Sequence, residues 1–153
     1  MDFQKMFNEP VGKLRLQKVF TLSESEPVFA AVRQMVLYRI SCALVMKNKD
    51  TVSGIFSESD YVRRILAEEK DAGSVSLKSV MTPDPIMIKA STTIGEALKI
   101  MKQNNIHHIP ILNPDGNILG VLGVLQIMEL IAAYFPHVIN SPWHVIKKDD
   151  PVW

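Results

Sequence analysis

A gapless internal repeat constrains the fold of this chain more than any other feature of its sequence. Residues 19–66 can be laid over residues 85–132 without an insertion or a deletion. Few residues are identical in the two copies, but their apolar positions coincide at helical spacing. The coinciding pairs include Val28 with Ile94, Val32 with Leu98, and Met35 with Met101. Because internal repeats determine the architecture, we expect the chain to form two similar structural units.

Each copy predicts the same order of elements, strand–helix–strand–strand–helix. An extended segment (Val19–Leu22 or Pro85–Ile88) precedes a helix, which begins after residues that favour helix N-termini. Two strands follow, and in the second copy the sequence Asn-Pro-Asp-Gly at 113–116 is a strong hairpin signal between them. A further helix closes each copy. The sequence therefore predicts an α+β fold of two pseudo-symmetric β-α-β-β-α repeats.

The same pattern divides the chain into five segments. They are an N-terminal segment (1–18), repeat 1 (19–69), a linker (70–78), repeat 2 (79–135) and an aromatic C-terminal tail (136–153). The tail contains both tryptophans of the chain, Trp143 and Trp153, and its prolines exclude a long helix. Two large apolar side chains predict that the tail docks on a surface, either of its own chain or of a dimer mate.

The composition favours a folded protein in the cytoplasm. Of the 153 residues, 47% are hydrophobic and 22% are charged, which predicts a packed core. The net charge of +1 argues against a large nucleic-acid interface. No apolar run approaches the about 18 residues of a membrane span, and residues 1–10 lack the apolar core of a signal peptide. We therefore expect a cytoplasmic protein that binds neither nucleic acid nor a membrane.

A polar motif is intact in only one of the two repeats. Gly54–Asp60 passes from a strand into a helix and contains a hydroxyl and a carboxylate three residues apart. The matching stretch, Gly120–Gln126, has Gly123 and Gln126 at those two positions. A serine at a helix start with a carboxylate three residues later forms either a ligand-binding turn or a helix-capping box, and both interpretations stay open. In repeat 2 we expect a weaker site.

Three segments of the chain carry a family resemblance. They are Gly54-Ile-Phe-Ser-Glu-Ser-Asp60, Val80-Met-Thr-Pro-Asp-Pro-Ile86 and Ile106-His-His-Ile-Pro-Ile111. In these segments the chain resembles a pair of cystathionine-β-synthase-type (CBS) domains, a Bateman module, and the resemblance covers about residues 10–134. It implies two repeats packed through their small sheets and a homodimer formed through helices. It also implies an adenosyl ligand such as AMP, ADP, ATP or S-adenosylmethionine, with no required cofactor.

The resemblance implies that repeat 1 supplies one wall of a ligand cleft. Gly54 has no Cβ and would let the ligand approach the backbone. Ser57 would bind a phosphate at the start of a helix, where free N–H groups favour an anion. Asp60, one turn later, would accept hydrogen bonds from both ribose hydroxyls.

Repeat 2 would supply the other wall. Thr82, Pro85 and Met87 match family positions that face the adenine through backbone atoms and apolar contact. His107 and His108 match positions that reach the phosphates, and an imidazolium there would make binding depend on pH. The alternative for the two histidines is an ordinary strand edge, with one ring packed and one solvated. Family members often have an arginine at position 108, so its replacement by histidine puts the strength of phosphate binding in question.

Other chemistry is not expected from the remaining polar residues. Arg63 and Arg64 are interpreted as solvated helix residues. Cys42, the single cysteine, is expected to be a buried or half-buried thiol, since no nucleophile–base pattern flanks it. His137 and His144 lack the carboxylate or cysteine partners of a zinc site, so no metal is expected.

The leading interpretation is a regulatory module rather than an enzyme. It would bind an adenosyl ligand between the repeats and transmit occupancy to a separate, unknown target protein. The alternative is a ligand-free dimeric module for protein interaction.

Overall fold

Two small sheets organise residues 3–134, which are the residues that the computed structural model describes. The predicted tail, with Trp143, Trp153, His137 and His144, lies outside the described residues.

The observed order of elements confirms the predicted one. Repeat 1 contains β1 (Thr21–Ser23), α2 (Val28–Tyr38), β2 (Cys42–Asn48), β3 (Thr51–Ser57) and α3 (Glu58–Tyr61), which continues into a π-helical turn (Val62–Leu66). Repeat 2 contains β5 (Ile88–Lys89), α5 (Ile94–Asn104), β6 (His108–Leu112), β7 (Ile118–Gly123) and α6 (Val124–Tyr134). A short helix α1 (Phe3–Phe7) and a 3-10 turn (Val11–Lys13) precede repeat 1, and α4 (Leu77–Val80) and β4 (Thr82–Pro83) precede repeat 2.

The two sheets have the same topology. In repeat 1, β1 lies parallel to β2, and β2 pairs antiparallel with β3. In repeat 2, β5 lies parallel to β6, and β6 pairs antiparallel with β7. The register is also shared, since Val45 pairs with Gly54 and Ile111 pairs with Gly120 at matching positions. The repeat in the sequence is therefore a repeat in three dimensions.

Each sheet is completed by the segment that precedes the other repeat. Strand β4 follows the linker, yet it pairs antiparallel with β3 and forms the fourth strand of the first sheet. At the matching edge of the second sheet, Gln17 bridges Val121. The hydrogen bonds nearby also match, since the Leu77 N–H donates to the Glu26 carbonyl and the Val11 N–H donates to the Thr92 carbonyl. Part of the predicted N-terminal segment is thus built into the second repeat.

Each repeat has its own hydrophobic core within the described residues. We call residues 9–17 and 77–83 the exchanged segments, because each precedes one repeat and completes the sheet of the other. The first core centres on Phe56, which is fully buried, and includes Leu77 from the exchanged segment 77–83. The second contains Leu122 and receives Val11 from the other exchanged segment. Burying one large aliphatic or aromatic side chain contributes about 1.5–3 kcal/mol. The burial of Leu77 and Val11 therefore stabilises the packing of each exchanged segment against the opposite repeat.

Helices α2 and α5 end in the same way. The residues that follow them, Arg39 and Asn105, have φ of 53° and 52° and adopt the left-handed conformation that closes a helix C-terminus. The chain then turns sharply into β2 or β6. The first residues of these strands are thereby brought to the edge of a cleft.

Candidate functional site

A cleft of about 300 Å³ lies where the two repeats meet. Its walls include Ser57 and Asp60 at the start of α3, Thr82 of β4, and His107 and His108 at the start of β6. The structure therefore brings five of the eight predicted site residues together. Sequence reasoning joins residues so far apart only through the family resemblance.

Ser57 and Asp60 form a capping box at the start of α3. The backbone N–H of Ser57 donates to Oδ2 of Asp60 at 2.9 Å, and the Ser57 hydroxyl donates to the same oxygen at 2.7 Å. The capping interpretation of this motif is therefore confirmed. It does not exclude ligand binding, because both side chains also line the cleft.

The other carboxylate oxygen of Asp60 faces the strand β4. The Thr82 hydroxyl donates to Oδ1 at 3.3 Å, and the Arg64 guanidinium lies 3.5 Å from the same atom. The side chain of Asp60 is only 13% exposed, so its charge is balanced mainly by protein groups. Asp60 thus joins the start of α3 to the strand β4, which follows the linker and completes the first sheet.

Arg64 connects the helix that closes repeat 1 to the segment of α4 and β4 that completes the first sheet. Its guanidinium donates to the Val80 carbonyl at 2.7 Å and to the Thr82 hydroxyl at 3.0 Å, in addition to its ion pair with Asp60. The prediction of a solvated side chain is therefore wrong for Arg64. The spacing of four residues from Asp60 on a helix was the available signal, since such pairs are neighbours on the helix surface.

The two histidines differ in environment. His107 is exposed, whereas His108 is half-buried and its Nε2 lies 3.0 Å from the Ser41 hydroxyl. Burial lowers the pKa of His108, and neighbouring His107 lowers it further, while the Asp60 carboxylate partly opposes both effects. The lowered pKa favours the neutral form of the His108 ring. One ring packed and one exposed is the arrangement that the alternative interpretation predicted.

Gly54, Pro85 and Met87 are not among the described residues that line this cleft. Gly54 pairs with Pro83, and a Cβ added at Gly54 would lie 2.8 Å from the Thr82 carbonyl oxygen and against the Met81 side chain. The close approach at this glycine is therefore made by the exchanged segment of the chain itself. Pro85 and Met87 are half-buried beyond β4.

A second cleft, of about 620 Å³, occupies the pseudo-symmetric position. Lys18, Arg39, Ser41 and Leu125 are among its lining residues. Leu125 stands where repeat 1 has Ser59. The weaker copy of the motif thus contributes Leu125 to a cleft that is lined by two cations and by the Glu58 carboxylate.

The equivalent of the capping pair survives in repeat 2 without a charge. The Gly123 N–H donates to Oε1 of Gln126 at 2.9 Å, and the Gln126 side chain is buried. Gln126 therefore makes the backbone contact that Asp60 makes in repeat 1. It lacks the negative charge that Asp60 adds.

The Cys42 thiol, potential metal ligands and helix lengths bear on other possible kinds of function. Burial raises the pKa of the Cys42 thiol to about 12, with a smaller contribution from the Asp60 charge, and Cys42 is buried as predicted. Within residues 3–134, no three His, Cys, Asp or Glu side chains are grouped to hold a metal ion. Over the same range, every helix is too short or too polar to cross a membrane.

Comparison with known proteins identifies the family. The CBS domain model matches the chain twice, over residues 11–67 and 77–133. The chain belongs to the CBS-domain family. Both matches begin within the exchanged segments, so the family unit includes the residues that complete the opposite sheet in this CBS pair.

Relatives of this CBS pair include longer and similarly sized proteins. The CBS domain-containing protein CBSCBSPB2 of Arabidopsis thaliana is 31% identical over 116 residues, which are 76% of this chain and 22% of that protein. The chain thus spans about a fifth of the length of such curated relatives. An uncharacterized 17.7 kDa protein of Acidianus ambivalens is 25% identical over 137 residues, covering 90% of this chain and 82% of the relative.

Solved structures share the fold. An uncharacterized conserved protein from Pyrococcus horikoshii superposes with a TM-score of 0.75 at 26% identity, covering 84% of this chain and 93% of that one. A CBS domain protein from Pyrobaculum aerophilum, solved in complex with AMP, superposes with a TM-score of 0.68 at 20% identity over 81% of this chain and 99% of that one.

Proposed function

We propose that this CBS pair is a sensor that binds an adenine nucleotide or another adenosyl ligand in the cleft between its repeats. The observation that carries this proposal is the charge of Asp60. Gln126 caps the equivalent helix with a neutral amide, so the cap requires only an acceptor oxygen. The carboxylate at Asp60 exceeds that structural requirement, and it lies in a cleft beside the hydroxyls of Ser57 and of Thr82 on the strand β4.

The hydrogen bonds of Asp60 suggest how a ribose would bind. Its carboxylate accepts hydroxyl protons from Ser57 and Thr82, which are the same kind of donors as a 2′,3′-diol. A ribose would replace these donors with its own two hydroxyls, which would donate to the same ionised acceptor and keep charge-assisted hydrogen bonds to it. The freed Ser57 hydroxyl would then be available to donate to a phosphate. The complex of the Pyrobaculum relative with AMP supports this ligand class.

The cleft also contains cationic and neutral groups suited to phosphate. Arg63 lines it and is exposed, and His107 lies on the opposite wall. A phosphate near His108 would raise the pKa of that ring, because a nearby anion favours the charged imidazolium. The roles assigned to Pro85 and Met87 beside the adenine, and to Gly54 beneath the ligand, stay predictions.

Occupancy would be transmitted through the contacts between Asp60, Arg64 and β4. A ligand whose hydroxyls donate to Asp60 competes with Thr82, and the Thr82 hydroxyl also accepts from Arg64. The position of β4 relative to α3 would therefore differ between the free and the bound state, and the chain that leads from β4 into repeat 2 would carry this difference to the second repeat. Such a shift extends only as far as the ligand binds one pose better than the other. We propose that a separate protein in the cytoplasm responds to this shift and that the module itself catalyses no reaction.

The alternative is a ligand-free interaction module, and one observation favours it. Every polar atom of the Asp60 carboxylate already has a protein partner. In that case the carboxylate only joins the repeats and the cleft stays empty.

Isothermal titration calorimetry with AMP, ADP, ATP and S-adenosylmethionine distinguishes the two functions. The sensor predicts binding of at least one of them, and weaker binding of the 2′-deoxy form of the same nucleotide because Asp60 loses a hydroxyl donor. Heat changes indistinguishable from dilution for all four ligands at millimolar concentration would refute the sensor and leave the interaction module.

A further inference from the structure

His108 of repeat 2 and Ser41 of repeat 1 connect the two clefts. Nε2 of His108 lies 3.0 Å from the Ser41 hydroxyl oxygen. His108 lines the cleft that contains Asp60, whereas Ser41 lines the pseudo-symmetric cleft that contains Arg39. We call these the Asp60 cleft and the Arg39 cleft. One hydrogen bond therefore passes from one cleft to the other.

Gly123 provides the space that the His108 ring occupies. The two residues pair across β6 and β7, and a Cβ added at Gly123 would lie 3.3 Å from Cδ2 of His108. Carbon atoms in good contact lie about 3.5–4.0 Å apart, so a side chain at position 123 would press on the ring.

The same two positions in repeat 1 have the opposite sizes. Cys42 pairs with Ser57 there, so a small residue stands in place of His108 and a side chain in place of Gly123. The hydroxyl missing from the second motif is thus matched by a larger side chain on the neighbouring strand. Gly123 is more than a degraded copy of Ser57, because it lets the ring extend to Ser41.

The direction of this hydrogen bond depends on the charge of the ring. In a neutral ring with its proton on Nδ1, Nε2 accepts from the Ser41 hydroxyl. In the imidazolium both nitrogens carry protons, so Nε2 donates and the Ser41 oxygen accepts. The hydroxyl proton of Ser41 then turns away from the ring.

The groups around the ring allow an anion to change its charge. Burial lowers the pKa of His108, His107 lowers it further and the Asp60 carboxylate raises it. Asp60 is itself paired with Arg64, and the Ser41 hydroxyl is neutral. A phosphate in the Asp60 cleft adds negative charge that favours the imidazolium.

The Arg39 cleft is suited to accept the released donor. Lys18 and Arg39 line it together with Ser41, and Glu58 is the acidic group among its lining residues. A hydroxyl donor in a cleft with two cations favours a bound anion, since hydrogen bonds to charged groups are the strong ones.

We propose that Ser41 is a positioning residue that couples the two clefts through His108. An anion in the Asp60 cleft favours the imidazolium, which takes Ser41 as its acceptor. The freed hydroxyl then donates to a second anion in the Arg39 cleft. Because coupling between sites is reciprocal, the second anion strengthens binding of the first by the same factor. This inference rests on the proposed function for the identity of the first ligand, a nucleotide phosphate.

Nitrogen-15 NMR of the histidine rings tests the first step. The signals of His108 are assigned by their loss in His108→Gln. We expect Nε2 to be unprotonated in the free protein at pH 7.5 and both ring nitrogens to be protonated when the tightest nucleotide saturates the protein. A neutral ring with its proton on Nε2, or a ring whose state does not change with nucleotide, would overturn the proposal.

Sulfate titrations followed by amide NMR test the coupling. Sulfate is the probe because it stays a dianion, and the amides of Lys18 and Arg39 report on the Arg39 cleft. Saturating nucleotide should lower the sulfate dissociation constant at these amides about fivefold or more. Ser41→Ala and His108→Gln should abolish this change, whereas Ser41→Thr keeps the hydroxyl and should preserve it. Coupling that persists in Ser41→Ala, or amides that do not respond to sulfate at all, would contradict the proposal.

Gly123→Ser tests the space for the ring. It should lower the urea midpoint of unfolding and abolish the coupling. Adding His108→Cys gives repeat 2 the pair of residues that repeat 1 carries, and it should recover most of the midpoint but none of the coupling. A folded Gly123→Ser variant with full coupling would refute the role of the glycine.

Acid replaces the nucleotide in the closing experiment. Lowering the pH from 7.5 to 5.5 protonates His108 without a ligand, so sulfate should bind more tightly at the Lys18 and Arg39 amides in the wild type than in His108→Gln. If no nucleotide binds but acid still strengthens sulfate binding through His108, the proposed function fails and the coupling holds. If a nucleotide binds but neither nucleotide nor acid changes sulfate binding through His108, the coupling fails and the proposed function stands.

Discussion

The two repeats share a scaffold and differ in their polar site and in the outer surface of their first helix. Their strands pair in the same register, their helices end in the same left-handed residue and their sheets are completed by matching segments. Repeat 1 combines a charged site at Asp60 with an apolar outer helix. Repeat 2 has neutral Gln126 at the equivalent site and a polar outer helix. Repeat 2 therefore acts as an internal control, since it shows what the fold requires when neither feature is present.

The largest effect should come from removing the charge that distinguishes the repeats. Asp60→Ala is expected to weaken binding of the tightest adenosyl ligand by about 10- to 100-fold, because each hydrogen bond to a charged group contributes about 1.5–3 kcal/mol. Gln126→Ala is the matched control, since it also removes a helix-capping oxygen, and it should change affinity by less than about threefold. Calorimetric titration measures both. Equal losses in the two variants would remove the functional difference between the repeats.

Stability should respond equally in the two repeats where the scaffold is shared. A Cβ at Gly54 would lie 2.8 Å from the Thr82 carbonyl oxygen, and one at Gly120 would lie 2.7 Å from the Gln17 carbonyl oxygen. Gly54→Ala and Gly120→Ala should each lower the free energy of unfolding by about 1–3 kcal/mol through overpacking at the exchanged edge.

Gly95→Ala in helix α5 is the control for these two glycines. A Cβ there would meet its nearest atom, the Phe7 carbonyl oxygen, at 3.4 Å. This variant should be neutral or stabilising, because alanine favours a helix more than glycine does. Urea denaturation measures all three, and a large loss at only one of the two strand glycines would show that the edges are not equivalent.

Arg64 sharpens the comparison because repeat 2 has Leu130 at the same position. Arg64→Leu should lower the free energy of unfolding by about 1 kcal/mol through the loss of its hydrogen bonds to Val80 and Thr82. It should also weaken ligand binding severalfold, since Thr82 and Asp60 lose their common neighbour. Arg63→Leu removes the same charge from an exposed neighbour and should not destabilise the protein. Thermal unfolding and calorimetry of Arg64→Leu and Arg63→Leu distinguish the positioning of Asp60 and Thr82 by Arg64 from an effect of net charge alone.

The smallest expected effect concerns pH, at a position where repeat 1 has Cys42 and repeat 2 has His108. Because the folded pKa of His108 is lowered, its contribution to stability is fully present above the unfolded pKa of about 6.5 and is lost as pH falls below it. Between pH 7.5 and 5.5, His108→Gln should therefore lose less stability than the wild type. The groups facing this ring are Asp60, His107 and Ser41. Identical pH dependence in urea titrations of the two proteins would contradict this assignment.

The sequence predicted the architecture well because the apolar pattern of each helix and strand occurs twice, once in each repeat. A helical apolar pattern such as that of Val28, Val32 and Met35 is more convincing when it recurs at Ile94, Leu98 and Met101. The family resemblance then joined Asp60 to His108, which no local pattern could do. The residues that line the cleft were therefore predicted from the family motifs and not from the periodicity of apolar residues.

The exchanged edges were not predicted, for a physical reason. Strand β4 has two residues and Gln17 forms a single bridge, so neither is long enough to show alternation of apolar and polar residues. The structural role of Gly54 was hidden for the same reason, because its neighbour Met81 is distant in sequence. Arg64 was misjudged because most arginines on helix surfaces are solvated, and its carbonyl partners lie beyond the linker.

The exchanged edges also bear on how the chain is made. Residues 9–17 are synthesised before their partners Ala90, Thr92 and Val121, which follow about 80 to 100 residues later. Until then the second sheet has no edge to receive them, and a nascent first repeat lacks Leu77 and Met81 from its core. Neither half is therefore complete by itself during synthesis. Residues 9–17 therefore complete the second sheet only after both repeats have been synthesised.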